Sequence, residues 1–265
     1  MYKAFGIVSS SGRNIYVDGM QDYRPIGAFS FLGRYRVIDF PISNMTNSDI
    51  DRIQVYINNK PRSVVEHVGT GRHYNINSKR GRLHLLFSEN NSTNDIYNTD
   101  IAAFAENLES IERASSPYVV VAPGYMVYTQ NFDTLLQTHI DSGADITLLY
   151  HSVNNAKEAF LNCDYLNLNR QKGVLSIEKN RGSAKERDIF MDTYIMKKEL
   201  FIEILDNLGE LSGKNDPDLI LEKIASMSCK AAVKGNMKLS LMEIESLIKE
   251  LLTLQNPYQL SLIYI

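Results

Sequence analysis

Tryptophan is absent from the 265 residues, cysteine occurs only at positions 163 and 229, and no apolar run approaches the roughly 18 residues that a membrane-spanning helix needs. Two cysteines in unlike contexts, with no Cys-x-x-Cys, argue against a disulfide scaffold or a cysteine-based zinc site. Both are expected to be reduced core thiols. The segment Met1 to Gly12 has no charged stretch leading into an apolar one, so the chain is expected in the cytoplasm and off the membrane. Neither charge sign is in large excess: the net charge is -3 and the pI about 6.0, which gives no whole-chain attraction for nucleic acid or an anionic bilayer.

What is present suits a folded α/β protein. With 44% hydrophobic residues the chain can bury a full core. Residues 2–8 form a first apolar strand that stops at Ser9, Ser10, Ser11, Gly12 and Arg13, a small-residue loop that is either a surface turn or a cradle for phosphate. Strand 52–57 precedes a helix over 61–68 with Pro61 near its first turn, and Gly69 to Tyr74 then turns a corner or contacts a phosphate. Residues 80–95 carry Arg80, Arg82 and His84 and end in a polar run expected to be an exposed loop. Helical periods at 100–114 and 131–142 alternate with apolar strands at 118–122 and 145–150. That order predicts β-α-β units, hence a mainly parallel sheet with helices against it.

Shorter segments follow. Those at 164–168 and 173–178 are separated by Asn169 to Gly173, as in a hairpin, and a further strand is expected at 189–196. Helices over 197–208, 217–227 and 240–254 and a strand near 231–233 complete the expected order.

Several chemistries find no foothold. His67, His73, His84, His139 and His151 lie at spacings that fit no zinc-ligand pair, and there is no Gly-x-Ser-x-Gly elbow. Parallel sheets place ligands at the carboxyl ends of their strands, yet residues 122–126, after the strand at 118–122, are Ala-Pro-Gly-Tyr-Met, with no carboxylate. Nucleotidyl transfer needs a cation held by acidic side chains, so a site without them is expected to be slow or dead.

The densest stretch is residues 24–50, RPIGAFSFLGRYRVIDFPISNMTNSDI. By pattern alone it is a buried connection, strand-like over Phe29 to Val37 and turning at Pro41, Ser43 and Asn44 toward a helix start. Phe31 to Asn44, with Asn47, Ser48 and Ile50, closely resembles the amino-terminal signature of the glucose-1-phosphate adenylyltransferase (ADP-glucose pyrophosphorylase) family. Ser63 to His67, Gly69 to Arg72 and the 118–122 strand extend the likeness. It covers about residues 1–235.

The resemblance implies a Rossmann-like, GT-A-like nucleotidyltransferase domain over 1–238. The family's following left-handed β-helix domain is expected to be absent, and 239–265 to be a helical linker remnant, whether through loss or because the chain is a fragment. Glu178 and Lys179 resemble the family's sugar-phosphate-contacting Glu-Lys-Pro. Departures fall on the chemical positions. Active members have a glycine-rich loop where this chain has Ser9, Ser10, Ser11, Gly12 and Arg13, a lysine at Ile26, and a metal-binding aspartate at Gly124. The pattern is similar to the non-catalytic GlgD-type subunits.

That likeness implies a regulatory subunit of a hetero-oligomer in bacterial glycogen biosynthesis. Its catalytic ADP-glucose pyrophosphorylase partner would make ADP-glucose from ATP and glucose 1-phosphate, with no cofactor here and Mg and ATP only at the partner. Arg34, Arg36 and Arg72, with Arg80 and Arg82, either bind a phosphorylated effector or form a salt-bridged face. The alternative is a diverged but active sugar-phosphate nucleotidyltransferase, with Asp100 or Asp39 replacing the lost metal ligand.

Overall fold

The computed structural model describes residues 4–9, 17–57, 60–69, 71–74, 76, 81–87 and 99–209. The chain divides into compact units Met1–Gly209 and Glu210–Ile265, and all that follows concerns the first. The expected elements at 217–227, 231–233 and 240–254, and the boundary at 238/239, lie outside the described residues.

Strand β1 (Ala4–Ser9) lies in parallel between β4 (Arg52–Ile57) and β6 (Tyr118–Pro123), and β5 (Arg82–Phe87) extends this parallel half beyond β4. β10 (Arg187–Lys197) then joins β6 antiparallel. Its first half pairs with β8 (Asp164–Leu168), its full length pairs with β7 (Ile146–Val153), and β9 (Val174–Lys179) closes a hairpin on β8. The result is one eight-stranded mixed sheet in the order β5-β4-β1-β6-β10-β8-β9, with β7 on β10.

Strand alternation sends side chains to two cores. Ala4, Val8, Ile53, Val55, Val120 and Ala122 face one layer, where they meet α1 (Asp39–Thr46), α2 (Arg62–Val68) and α5 (Phe132–Ser142). Phe5, Ile7, Tyr56, Val119 and Val121 face the other, against α3 (Thr99–Glu106), α4 (Leu108–Glu112) and α6 (Lys198–Gly209). Tyr56, Phe104 and Phe201 form an aromatic chain there, with centroids 4.7 and 5.8 Å apart.

Three local readings change and one strand is added. The stretch over Phe29 to Val37 is not one strand but a two-stranded ribbon, β2 (Ser30–Phe31) and β3 (Tyr35–Arg36), turning through Leu32 and Gly33 at positive φ. The helix after it starts at Asp39, ahead of Pro41; proline is tolerated there because first-turn amides have no intrahelical partner. The period over 100–114 breaks at Asn107, whose side-chain amide donates to the Ala103 carbonyl. Residues 82–87, ahead of the polar run and assigned to no element from the sequence, form edge strand β5, with Leu83 and Leu85 packed on the first core; the polar run itself lies outside the described residues.

Cys163 is free and half-buried in the loop before β8, so it is not the core thiol expected, and Cys229 lies outside the described residues. No helix among the described residues is long and apolar enough to cross a membrane.

α5 carries one titration consequence. Its His139 is buried at 2% exposure, bonds Thr147 Oγ1 at 2.8 Å, and has its pKa lowered by burial and then by Lys197. The unfolded imidazole protonates near about pH 6.5 while the folded one resists. Its contribution is therefore complete above about pH 6.5 and declines as pH falls toward the folded midpoint. His84, lowered by burial and by Arg82, adds the same sign. Urea midpoints measured between about pH 5 and about pH 8 should show this slope, and His139→Gln should flatten it.

Candidate functional site at the carboxyl edge of the sheet

β1 and β6 end side by side, with Ser9 in register with Pro123, and this edge brings the diverged positions together. The Gly124 amide donates to the Ser9 carbonyl at 2.6 Å. Ile26 opens a 3-10 turn, Ile26–Ala28, whose Gly27 is pressed on the same place: a Cβ there would lie 2.8 Å from the Gly124 carbonyl oxygen. Ser9, Ile26 and Gly124, far apart in sequence, are thus neighbours. Ser10, Ser11, Gly12 and Arg13 lie outside the described residues.

A tyrosine stands beside the glycine. The Tyr125 hydroxyl donates to the carboxylate of Asp192, which sits at φ +47 in a bulge of β10 between Phe190 and Thr193. Bulges re-aim side chains, and this one lies where β10 changes neighbour from β8 to β6. Tyr128 follows, its hydroxyl 3.1 Å from Thr193 Oγ1 and its pKa pushed up to about 12 by burial.

Of the two acidic residues that could replace a lost ligand, only Asp100 reaches this edge, accepting from Ser9 Oγ at 2.7 Å. Asp39 is committed elsewhere. It is buried, and it receives the Arg36 backbone amide at 2.8 Å, the Tyr74 hydroxyl at 2.5 Å and His67 Nε2 at 2.7 Å. Burial, then that carboxylate, raises the Tyr74 hydroxyl well above the ordinary phenol range. Asp39 therefore ties α1, α2 and the 3-10 turn Arg72–Tyr74 into one unit.

The rest of the signature is also structural. Asn44 Nδ2 donates to the Tyr128 carbonyl at 2.9 Å, and Ser48 Oγ receives the Phe132 amide at 2.8 Å, so α1 positions the start of α5.

The arginines do not form one cluster. Arg36 donates to the Ser63 carbonyl, Arg34 is exposed with its guanidinium 5.8 Å over the Tyr35 ring, and Arg72 is exposed on the turn that carries Tyr74. Arg82 is in register with Arg52 at the opposite, amino edge of the parallel half, and Arg80 lies outside the described residues. Gly69 and Gly71 both have positive φ and turn the corner after α2.

Glu178 and Lys179 stand on β9 opposite Tyr165 and Asp164 of β8. Lys179 pairs with Asp164 at 2.7 Å. Glu178 accepts from the Tyr165 hydroxyl at 2.7 Å, from Asn167 at 2.6 Å and from Ser176 at 3.0 Å. The Tyr165 bond is the main reason its carboxyl lies below the usual range, followed by the Ser176 bond. Nothing in the sequence pattern singled out Tyr165 as a partner of Glu178, or Asp192 as a partner of Tyr125.

A family model for nucleotidyl transferases matches residues 23–236. The chain belongs to the nucleotidyl transferase family. Within it, the chain is 32% identical over 196 residues to glycogen biosynthesis protein GlgD of Geobacillus stearothermophilus, covering 72% of this chain and 54% of that protein. It is 28% identical over 200 residues to glucose-1-phosphate adenylyltransferase of Clostridium perfringens strain 13, at 74% and 50% coverage. This nucleotidyl transferase chain thus spans about half the length of the curated relatives it matches. A crystal structure described as a glucose-1-phosphate thymidylyltransferase from Bacillus anthracis shares the fold, with a TM-score of 0.59 over 81% of this chain and 76% of that one at 13% identity. A local likeness of 64% over 61 residues is to DNA mismatch repair protein MutL of Agathobacter rectalis, 23% of this chain and 9% of that protein. So small a share of that protein carries no activity across.

Proposed function

We propose that this chain is a non-catalytic regulatory or assembly subunit of ADP-glucose pyrophosphorylase in bacterial glycogen biosynthesis, acting on a catalytic partner that makes ADP-glucose and pyrophosphate from ATP and glucose 1-phosphate. The reading rests on one observation. At the carboxyl edge of β1 and β6, where a parallel sheet places its ligand, the backbone frame is intact but position 124 is a glycine, clamped between Ser9 and Gly27. The resemblance puts a metal-binding aspartate there and a lysine at Ile26. Losing the charge that neutralises a phosphate, while keeping the bonds of Asn44, Ser48 and Asp39 that hold the scaffold, is the pattern of a domain retained for its surfaces. Exposed Arg34 and Arg72 are the candidates for a phosphorylated effector.

The test measures pyrophosphate release from ATP and glucose 1-phosphate by the full chain alone and mixed with a catalytic subunit. No turnover alone is expected, with a shift of about 5-fold or more in the partner's effector response, the lower end of ordinary allosteric coupling. Turnover by the chain alone would overturn the reading in favour of a diverged enzyme in which Asp100 carries the cation.

A further inference from the structure

A concavity is lined by residues other than those at the edge of β1 and β6. It is a cleft of roughly 820 Å³ between the carboxyl end of β7, strand β8 and the amino end of β10; Ser9 and Gly124 do not line it, and Glu178 reaches it only through Tyr165 and Asn167, which donate to its carboxylate. We propose that this cleft binds a neutral saccharide.

Its lining has the chemistry for hydroxyl groups. Asn154 and Asn155 are exposed into it, and their side-chain amides make no hydrogen bond among the described residues, so each offers a donor and an acceptor to neighbouring hydroxyls. Asp188 has one carboxylate oxygen on Ser152 Oγ at 2.6 Å. Phe160 supplies the apolar wall: it is 41% exposed and held at φ +57, a backbone state that a bulky side chain rarely adopts. That conformation is enforced from below. The fully buried Asn180 side chain donates to the carbonyls of Ala156 and Phe160 at 2.8 and 2.9 Å.

Charge argues against an anionic ligand. Glu186 and Asp188 outnumber Arg187, whose guanidinium already lies 4.3 Å over the Tyr165 ring and donates to Ser183. A phosphate entering would face two carboxylates with one engaged cation. The size falls within the range of small-ligand sites, where a few polar groups orient a ligand against apolar walls. This inference stands apart from the regulatory reading, since it holds whether or not the chain acts on a catalytic partner.

Isothermal titration of the full chain with maltotriose, glucose 1-phosphate and inorganic phosphate tests it. Maltotriose is expected to bind with millimolar or better affinity, and inorganic phosphate neither to bind in the cleft nor to displace it. Asn155→Ala and Phe160→Gly, the latter keeping a left-handed backbone without steric cost, should each weaken maltotriose by about tenfold. Arg113→Ala, which removes an exposed pair with Glu109 on α4 and touches nothing that lines the cleft, should leave maltotriose binding unchanged. Absence of maltotriose binding, wild-type affinity in both variants, or displacement by phosphate would overturn the proposal. Thermal melts of the variants separate loss of the site from loss of the fold.

Discussion

Replacing Asp39 with alanine is expected to destabilise the 1–209 unit by about 3 kcal/mol. The carboxylate accepts three hydrogen bonds, from Arg36, His67 and Tyr74, and the Tyr74 bond is buried while the other two are partly so. Alanine leaves all three donors without their partner at once, and an orphaned buried donor costs more than a made bond gains. For a unit of this size the loss corresponds to a fall of about 6–12 °C in Tm. Asp39→Asn, which keeps the volume and one acceptor, should cost less, and Tyr74→Phe only about 1 kcal/mol. Urea unfolding followed by circular dichroism measures the series. A loss below about 1 kcal/mol for Asp39→Ala would mean that the three-element tie is not a stability determinant.

Asn180→Ala should cost about 2–3 kcal/mol and should act locally as well as globally. The side chain is at 0% exposure and serves both loops that flank the β8–β9 hairpin: it donates to Ala156 and Phe160, and its oxygen accepts the Gly182 amide at 3.0 Å. The decisive companion is Asn180→Asp. It preserves shape but turns a donor into an acceptor facing two carbonyl oxygens, so it should be at least as damaging as alanine. Limited proteolysis of both variants should cut first within residues 154–163 and 181–186. Cleavage elsewhere, or a benign Asn180→Asp, would show that shape rather than hydrogen bonding is what position 180 supplies.

Much of the fold was legible because burial on both faces leaves a plain trace. Val119, Val120 and Val121 admit no reading but a buried strand, and Phe132, Leu136 and His139 share one helical face. β5 was not legible in the same way: it is an edge strand buried on one face, and Arg82 and His84 on its other face look like loop residues. The bulge at Asp192 leaves no mark in the sequence, since the residues around it read as uninterrupted strand. Asp39 depends on His67 and Tyr74, which lie 28 and 35 positions away, and no local period encodes such a meeting. The convergence of Ser9, Ile26 and Gly124 was visible only through the resemblance, which set residues against counterparts of known role. The cleft of Asn154, Asn155 and Phe160 belongs to no motif and emerged from the arrangement of β7, β8 and β10 alone.

The place of β10 in the sheet bears on how the chain leaves the ribosome. β1, β4, β5 and β6 can pair as soon as they have emerged, but the second edge of β6 is covered only by β10, after residues 124–197 have been made. At roughly 5–20 residues per second, that leaves a row of unpaired valine backbone open for about 4–15 s. An unpaired apolar strand edge is the form of a nascent chain most open to pairing with a stranger. The interval before Lys197 emerges is therefore one in which a chaperone bound at this edge would shield it.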